Sequence, residues 1–246
     1  VPGASHLPLV SRLSRAGSVQ IPQVATPKLL TATPYVLTST DRSYSIGSHV
    51  TDNVGEWGVD AKYGITPSLT LDLTYNTDFA QVEVDEQRSN LTRFNLFFPE
   101  KRPFFLENAG AFSAGTPQAL DLFFTRKIGI DTAGHPVPII GGGRVSGRVG
   151  TYTLGGLAIA TDEVVGVQNR QSYSVGRVTR ELGPRSRLGA IAISRNDLDS
   201  TASRNATLGL DGRLGVGEAW TFDGWGARTV TPSRTGDDYG FCGRAN

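Results

Sequence analysis

The sequence contains no methionine, a single cysteine, three histidines and no long uninterrupted run of apolar residues. The lone thiol, Cys242, excludes an intrachain disulfide and a zinc site built from cysteines. His6, His49 and His135 are far apart and lack a His-x-x-x-His spacing, which argues against a histidine metal site. Without about 18 consecutive apolar residues, no transmembrane helix is encoded. Because an initiator methionine is missing, we expect a processed protein or a fragment.

Charge of either sign is not in excess, since 24 Lys and Arg face 23 Asp and Glu. No large positive field follows, so nucleic acid is not expected as a partner. Glycine and proline are abundant instead, at 30 and 13 residues, and both weaken long helices. The composition therefore favours an all-β protein over a helical bundle.

Apolar and polar residues alternate clearly in the segment 57–75, around the turn at Thr66-Pro67-Ser68. Similar alternation recurs at 144–154, 172–182, 188–195, 207–216 and 220–230, with short turns or polar links between the segments. The alternation breaks at Gly155-Gly156, which predicts a β-bulge, and both faces of 188–195 are apolar or small. Period-two patterning with short turns predicts successive antiparallel hairpins, the connectivity of a meander.

A meander of this kind favours an up-and-down β-barrel over a Greek-key sandwich. Polar residues such as Arg144, Arg148, Asp211 and Arg213 would be costly unpaired charges inside a soluble barrel, but not in a wet lumen. The sequence therefore predicts an antiparallel, outer-membrane type of β-barrel, with lipid on its apolar face. We expect residues 1–32 to be an irregular linker or lead-in segment and 33–246 to be the barrel domain.

The segment 79–120 does not follow this pattern and is expected to be a loop or plug-like insertion. Pro99 and Pro103 cannot donate to a strand ladder. A loop folded into the barrel mouth could bury the aromatic residues while Glu100, Lys101 and Arg102 pair in the lumen or form a constriction; an ordinary aromatic corner of the fold is the alternative. The plug aromatics are Phe94, Phe97, Phe98, Phe104 and Phe105.

Three stretches of the chain carry a resemblance to a known bacterial family, namely DFAQVE at 78–83, NLT at 90–92 and FFPEKRPFFLE at 97–107. The region from about Pro34 to Ala160 resembles the outer-membrane β-barrel domain of unknown function that usually follows a family 9 type carbohydrate-binding module. The resemblance implies a location in the bacterial outer membrane, contact with lipid, and a link to oligo- or polysaccharide. It supplies no catalytic residues.

The layout departs from that family in two respects. No sugar-binding module precedes residue 34, and the final residues 238–246 lack the terminal aromatic of an outer-membrane barrel. The chain is also short for a complete barrel, so we expect it to be the N-terminal part of a larger one.

Acidic residues cluster at Asp78, Glu83, Asp85 and Glu86. Oxygen ligands at such spacing can hold Ca²⁺ or act as paired acid and base in glycoside hydrolysis. The order differs from an EF-hand loop, and a solvated or lumen-facing acidic turn explains the cluster equally. We predict no cofactor, with Ca²⁺ as the alternative.

Arginines at 144 and 148, with Arg126 and Lys127, could form a basic strip on the lumen wall that favours anionic solutes. The alternative is that they pair with acidic neighbours.

The expected function is passage, docking or display of solutes at the outer membrane, with carbohydrate as the implied solute and no catalytic residue assigned. Two other classes stay open. One is a glycan hydrolase that uses Glu83 with Asp85, or Glu100 with Glu107, and the other is a soluble carbohydrate-binding β-sandwich.

Overall fold

The structure, a computed structural model, describes residues 30–45, 48–77, 100–116, 120–131, 137–200, 203–232, 234, 236 and 238–245. In this part of the chain, ten strands form one antiparallel sheet and two short strands form a second one. The all-β meander predicted from the sequence is confirmed. The large sheet consists of β1 (Leu30–Ser45), β2 (Ser48–Thr66), β3 (Leu69–Tyr75), β6 (Ile139–Val149), β7 (Tyr152–Thr161), β8 (Gln171–Gly183), β9 (Ser186–Asp197), β10 (Arg204–Val216), β11 (Trp220–Val230) and β12 (Tyr239–Ala245).

Each strand of the large sheet pairs with its neighbour in the chain, and β3 pairs with β6 across the insertion. Within the described residues, β1 and β12 do not pair with each other, so the sheet is open. The links alternate between two ends. At one end they are short, at 67–68, 150–151, 184–185 and 217–219. At the other end, the link 46–47 is also short, but the later links are longer, at 76–138, 162–170, 198–203 and 231–238.

One face of the large sheet, called here the apolar face, carries exposed hydrophobic side chains. The register carries this face across all ten strands: Trp57 lies opposite Val36, and Leu210 lies opposite Gly226. Alternate residues of a strand point to opposite sides, so cross-strand partners share a face. Exposed members include Val36, Trp57, Leu73, Tyr75, Val149, Tyr152, Val178, Leu188, Leu208, Leu210, Leu214, Val216, Trp220, Phe222, Val230, Tyr239 and Phe241.

The opposite face, called the covered face, packs against part of the insertion. The covering segment is defined as residues 100–116 and 120–131. It contains a one-turn helix α1 (Pro103–Leu106), 3-10 turns at Ala109–Phe112 and Thr125–Lys127, and the short hairpin of β4 (Gly115–Thr116) and β5 (Leu120–Asp121). Strand β1 begins at Leu30, so residues 30–32, which were expected to belong to the linker, lie in the sheet. Residues 1–29 lie outside the described part.

The hydrophobic core lies between the covering segment and the middle of the sheet. Phe105, Phe112 and Ile128 from the segment pack with sheet residues that include Leu157 and Ile191. Fully burying an aliphatic or aromatic side chain contributes about 1.5–3 kcal/mol, so this cluster helps to hold the segment on the sheet.

This packing explains why the sequence pattern of β7 does not alternate cleanly. Strand β7 turns Leu154 to the apolar face and Leu157 and Ile159 to the core, so both of its faces are apolar. The bulge predicted at Gly155-Gly156 is wrong, because the β6–β7 register runs unbroken there and shifts between Ile139 and Gly141 instead. The break in alternation marks the place where the covering segment packs.

Candidate functional site

A buried ion pair anchors the covering segment to the middle of the covered face. Asp72 on β3 and Arg144 on β6 lie directly opposite each other. The Arg144 guanidinium donates to Asp72 Oδ2 from Nη2 at 2.8 Å, and from Nη1 to the Glu107 carbonyl oxygen at 2.6 Å. It also lies 5.2 Å from the ring centre of Phe104. With Arg144 only 2% exposed, this charge depends on its partners.

Two further contacts strengthen the same anchor. Lys62 on β2 pairs with the Glu107 carboxylate and lies 3.7 Å from Asp72 Oδ1. Asn108 donates from Nδ2 to the Ser146 hydroxyl at 3.2 Å. The residues just after α1 are therefore bound to two strands, β2 and β6, by charge and hydrogen bonds.

A second arginine organises the covering segment internally. Arg102 donates to both carboxylate oxygens of Glu100, at 2.8 and 2.7 Å, and to the carbonyl oxygens of Thr125 and Ile128 at 2.8 and 2.6 Å. Its guanidinium lies 4.2 Å from the Phe105 ring centre. Burial by itself would raise the pKa of Glu100, but the hydrogen bonds and charge of Arg102 lower that pKa below its ordinary value.

The predicted constriction residues therefore separate into different roles. Glu100 and Arg102 pair with each other inside the covering segment, whereas the Lys101 side chain is exposed. Arg144 is buried with Asp72, and Arg148 lies 3.8 Å from Glu181 in an exposed pair. Of the four residues considered for a basic strip, these two have acidic partners, while Arg126 is buried in the covering segment.

The plug aromatics can be placed only in part. Phe105 is buried in the core, and Phe104 contacts its ring edge-on with centres 5.1 Å apart. Other predicted site residues lie outside the described residues, namely Phe94, Phe97, Phe98, Asp78, Glu83, Asp85 and Glu86.

A polar cleft of about 230 Å³ lies between the tip of the covering segment and the last four strands. Ser113–Thr116 form one wall, and the indole of Trp225 donates to Thr116 Oγ1 at 2.9 Å. Gly115 at this tip has a φ of +104°, and an added Cβ would lie 2.2 Å from the Leu120 carbonyl oxygen. Only glycine fits this turn, which sets the position of the wall.

The floor of the cleft carries charged residues that the sequence analysis did not group. Arg187, Arg213, Asp223 and Arg244 occupy consecutive cross-strand positions on β9, β10, β11 and β12. Neighbours in this row are 26, 10 and 21 residues apart in the sequence, so spacing alone does not bring them together. Their shared position near the short-turn end of each strand is a signal that strand pairing can reveal.

The apolar face contains a broad groove of about 1100 Å³. Small residues occupy its middle, where Gly156 and Gly176 pair, and larger ones such as Leu154 and Leu208 lie beside them. Its lining is almost entirely carbon, a surface suited to hydrocarbon rather than to polar solutes.

Among the described residues, no group of three or more His, Cys, Asp or Glu side chains is arranged to hold a metal ion. In the same part of the chain, no helix has the length and hydrophobicity needed to cross a membrane.

Comparison with protein families gives one match, which covers the first strands and the covering segment. Residues 26–138 match a domain of unknown function, DUF5916. The match overlaps the region in which the resemblance was noted, and confirms a domain of unknown function there. The outer-membrane barrel and the sugar module implied by the resemblance stay predictions. Neither the curated proteins nor the solved structures gave a match.

Proposed function

We propose that this chain is part of an outer-membrane β-barrel whose apolar face contacts lipid and whose covered face lines the interior. The segregation of side chains carries this proposal. Leu208, Leu210 and Phe241 on the apolar face are 66%, 63% and 78% exposed, whereas the ion pairs Asp72–Arg144 and Asp211–Arg177 lie on the other face. In barrels of this kind, lipid-facing and interior-facing residues alternate in this way. The register also places three arginines, Arg180, Arg204 and Arg228, on the apolar face.

The apolar face exposes more hydrophobic surface than a soluble monomer usually does. Soluble monomers rarely expose contiguous apolar patches larger than a few hundred Å², and larger ones mark interfaces with protein or membrane. Here exposed apolar side chains continue from Val36 on β1 to Phe241 on β12. Hydrocarbon satisfies such a surface along its whole width, whereas a single protein partner would need a matching ten-strand surface.

Strand length and link length agree with the proposal. β6 and β7 have 11 and 10 residues, and β8 to β11 have 11 to 13. About 9–11 tilted residues are needed to cross the hydrocarbon layer. Outer-membrane barrels combine short turns at the periplasmic end with longer loops outside, and the links after β2 show the same asymmetry.

The interior role follows from the covering segment. Its position on the charged face is that of a plug or constriction, so the barrel would control the passage or docking of solutes, with carbohydrate suggested by the resemblance alone. Deletion of residues 96–106 in a reconstituted protein is expected to raise bilayer conductance. Unchanged conductance in a folded deletion variant would contradict a plug.

The membrane assignment is tested by reconstitution of the full chain. We expect it to require detergent for solubility, to float with phosphatidylcholine vesicles in a density gradient, and to migrate differently on gels before and after heating. A monodisperse monomer in detergent-free buffer that stays with the soluble fraction would overturn the assignment.

The two alternative classes receive less support from the described residues. Glu100 is held ionised by Arg102, which is opposite to what a general acid in glycoside hydrolysis requires. Glu107 is paired with Lys62. A soluble β-sandwich requires a second large sheet on the apolar face, and the described part of the chain contains only the two-stranded β4–β5 hairpin besides the main sheet.

A further inference from the structure

The polar cleft beneath Ser113–Thr116 contains an unusual row of charges. Arg187 on β9 lies directly opposite Arg213 on β10. Arg213 in turn lies opposite Asp223 on β11, and Asp223 lies opposite Arg244 on β12. Like charges that face each other directly across antiparallel strands are destabilising. In this row of consecutive positions, three arginines therefore accompany one aspartate, which leaves an excess of positive charge.

The acidic residues around the cleft are already engaged. Asp223 accepts from Arg213 Nε at 2.5 Å. Asp211, two residues before Arg213 on β10, is bound by both terminal nitrogens of Arg177, with Nη2 at 2.9 Å from Oδ2. Neither carboxylate is thus left over to neutralise another arginine.

The neighbouring strand does not supply the missing charge either. Glu181 on β8 lies opposite Arg187, but its carboxylate is the partner of Arg148, 3.8 Å away. Within the described residues, Arg187 and Arg244 make no ion pair. Two positive charges of the cleft are therefore uncompensated.

We propose that this cleft is an anion site in which Arg187 and Arg244 bind a carboxylate or phosphate group of a small solute. Arginine presents a planar set of donors that matches both groups, and charge-assisted hydrogen bonds of this kind are strong. The cleft of about 230 Å³ accommodates one such group or the end of a larger molecule, with the Trp225 ring beside it. The claim that such an anion is a solute of the barrel's interior rests on the proposed function. Anion binding in the cleft does not itself require a membrane.

Isothermal titration of the full chain in detergent micelles tests the site with three probes: inorganic phosphate, glucuronate and neutral glucose. We expect phosphate or glucuronate to bind and glucose not to bind. Binding of phosphate alone assigns the site to phosphate groups, and binding of glucuronate alone assigns it to carboxylated sugars. Absence of binding by both anions would overturn the proposal.

The variant with Arg187→Gln and Arg244→Gln is expected to weaken anion binding at least tenfold, which corresponds to about 1.4 kcal/mol. The matched control is Arg180→Gln combined with Arg204→Gln, which removes the same net charge at residues outside the cleft lining. Equal losses in the two variants would mean that the overall charge, and not this site, attracts the anion.

A second measurement keeps the test decisive if the double glutamine variant folds poorly. Arg187→Lys with Arg244→Lys retains the charge but loses the paired donors, and we expect weaker binding with unchanged heat-dependent gel migration. In the original protein, the bound anion should raise the unfolding midpoint. If an anion binds in micelles but the protein fails to float with vesicles, the proposed function is contradicted and the site is not. If the protein floats but neither anion binds, the site alone is contradicted.

Discussion

At the scale of single residues, arginine performs two different tasks on the covered face. Arg144 and Arg102 are buried and saturated with carboxylate and carbonyl acceptors, which makes them structural. Arg187 and Arg244 are exposed in a cleft without acidic partners among the described residues. Burial with full pairing indicates an anchor, whereas uncompensated charge in a cavity indicates binding.

Arg144→Ala is expected to destabilise the folded protein by about 3–5 kcal/mol, because the buried Asp72 carboxylate loses its hydrogen-bonded partner and keeps only Lys62 at 3.7 Å. Urea unfolding of the detergent-folded chain measures the loss. The matched control, Arg148→Ala, breaks an exposed pair with Glu181 and should cost less than about 1 kcal/mol. Similar costs for both variants would contradict the role of Arg144 as an anchor.

The low pKa of Glu100 predicts how the covering segment responds to acid. A carboxyl group whose folded-state pKa lies below its unfolded value stabilises the fold above about pH 4.5 and loses that contribution as pH falls through the folded value. In a background with Trp57→Phe and Trp220→Phe, we expect the fluorescence of Trp225 to report loosening of the covering segment only below about pH 4.5.

Glu100→Gln removes the titrating group, so the same fluorescence profile should become flatter and the segment looser at pH 7. Glu163→Gln, at an exposed position on the β7–β8 link, serves as the control and should leave the profile unchanged. An acid transition that survives in Glu100→Gln would show that another group controls it.

At the scale of elements, the covering segment and the strands are matched by small residues at their contact. The position of Gly155 on the covered face of β7 is an example, because an added Cβ would lie 3.0 Å from the Ala111 carbonyl oxygen and 3.0 Å from the Phe112 ring. Its neighbour Gly156 faces the other side, and a Cβ there would meet nothing within 4 Å.

Gly155→Val is therefore expected to displace the turn at Ala109–Phe112 while the sheet stays intact. Limited proteolysis should cut the covering segment at least several times faster in this variant, and its bilayer conductance should rise if the segment restricts the interior. Gly156→Val makes the same chemical change on the apolar face and should leave both readouts unaltered. If Gly155→Val resists proteolysis as well as the unmodified chain does, the packing of the covering segment against Gly155 is contradicted.

At the scale of the whole molecule, the environment of the apolar face decides the function. Leu210 lies in the middle of β10 and Val216 at its end, and both are exposed on this face. In a bilayer, arginine on the lipid face costs about 2–4 kcal/mol at the midplane but only about 0–1 near the interface.

Leu210→Arg should therefore reduce folding into phosphatidylcholine vesicles much more than Val216→Arg, as measured by heat-dependent gel migration. Water makes no such distinction of depth, so a soluble protein would tolerate both substitutions alike. Equal behaviour of the two variants would contradict contact with hydrocarbon.

The hairpins were predictable from local patterns, and the central insertion was predictable only as an exception to them. Alternation around Pro67 identified β2 and β3, because one exposed apolar face imposes a strict period of two. The same criterion failed in β7, since Leu157 and Ile159 pack under a segment distant in sequence. Likewise, Glu100 and Arg102 were identified as neighbours, but not the cross-strand row that begins at Arg187.

Composition and periodicity by themselves determined that this chain forms an antiparallel meander with one apolar and one charged face, because strand geometry places alternate residues on opposite sides. Only the tertiary structure decided which face is covered, which arginines are buried, and which charges meet without a counterion. Those properties depend on the strand register and on the folding of the insertion back over the sheet, and both bring together residues far apart in the chain.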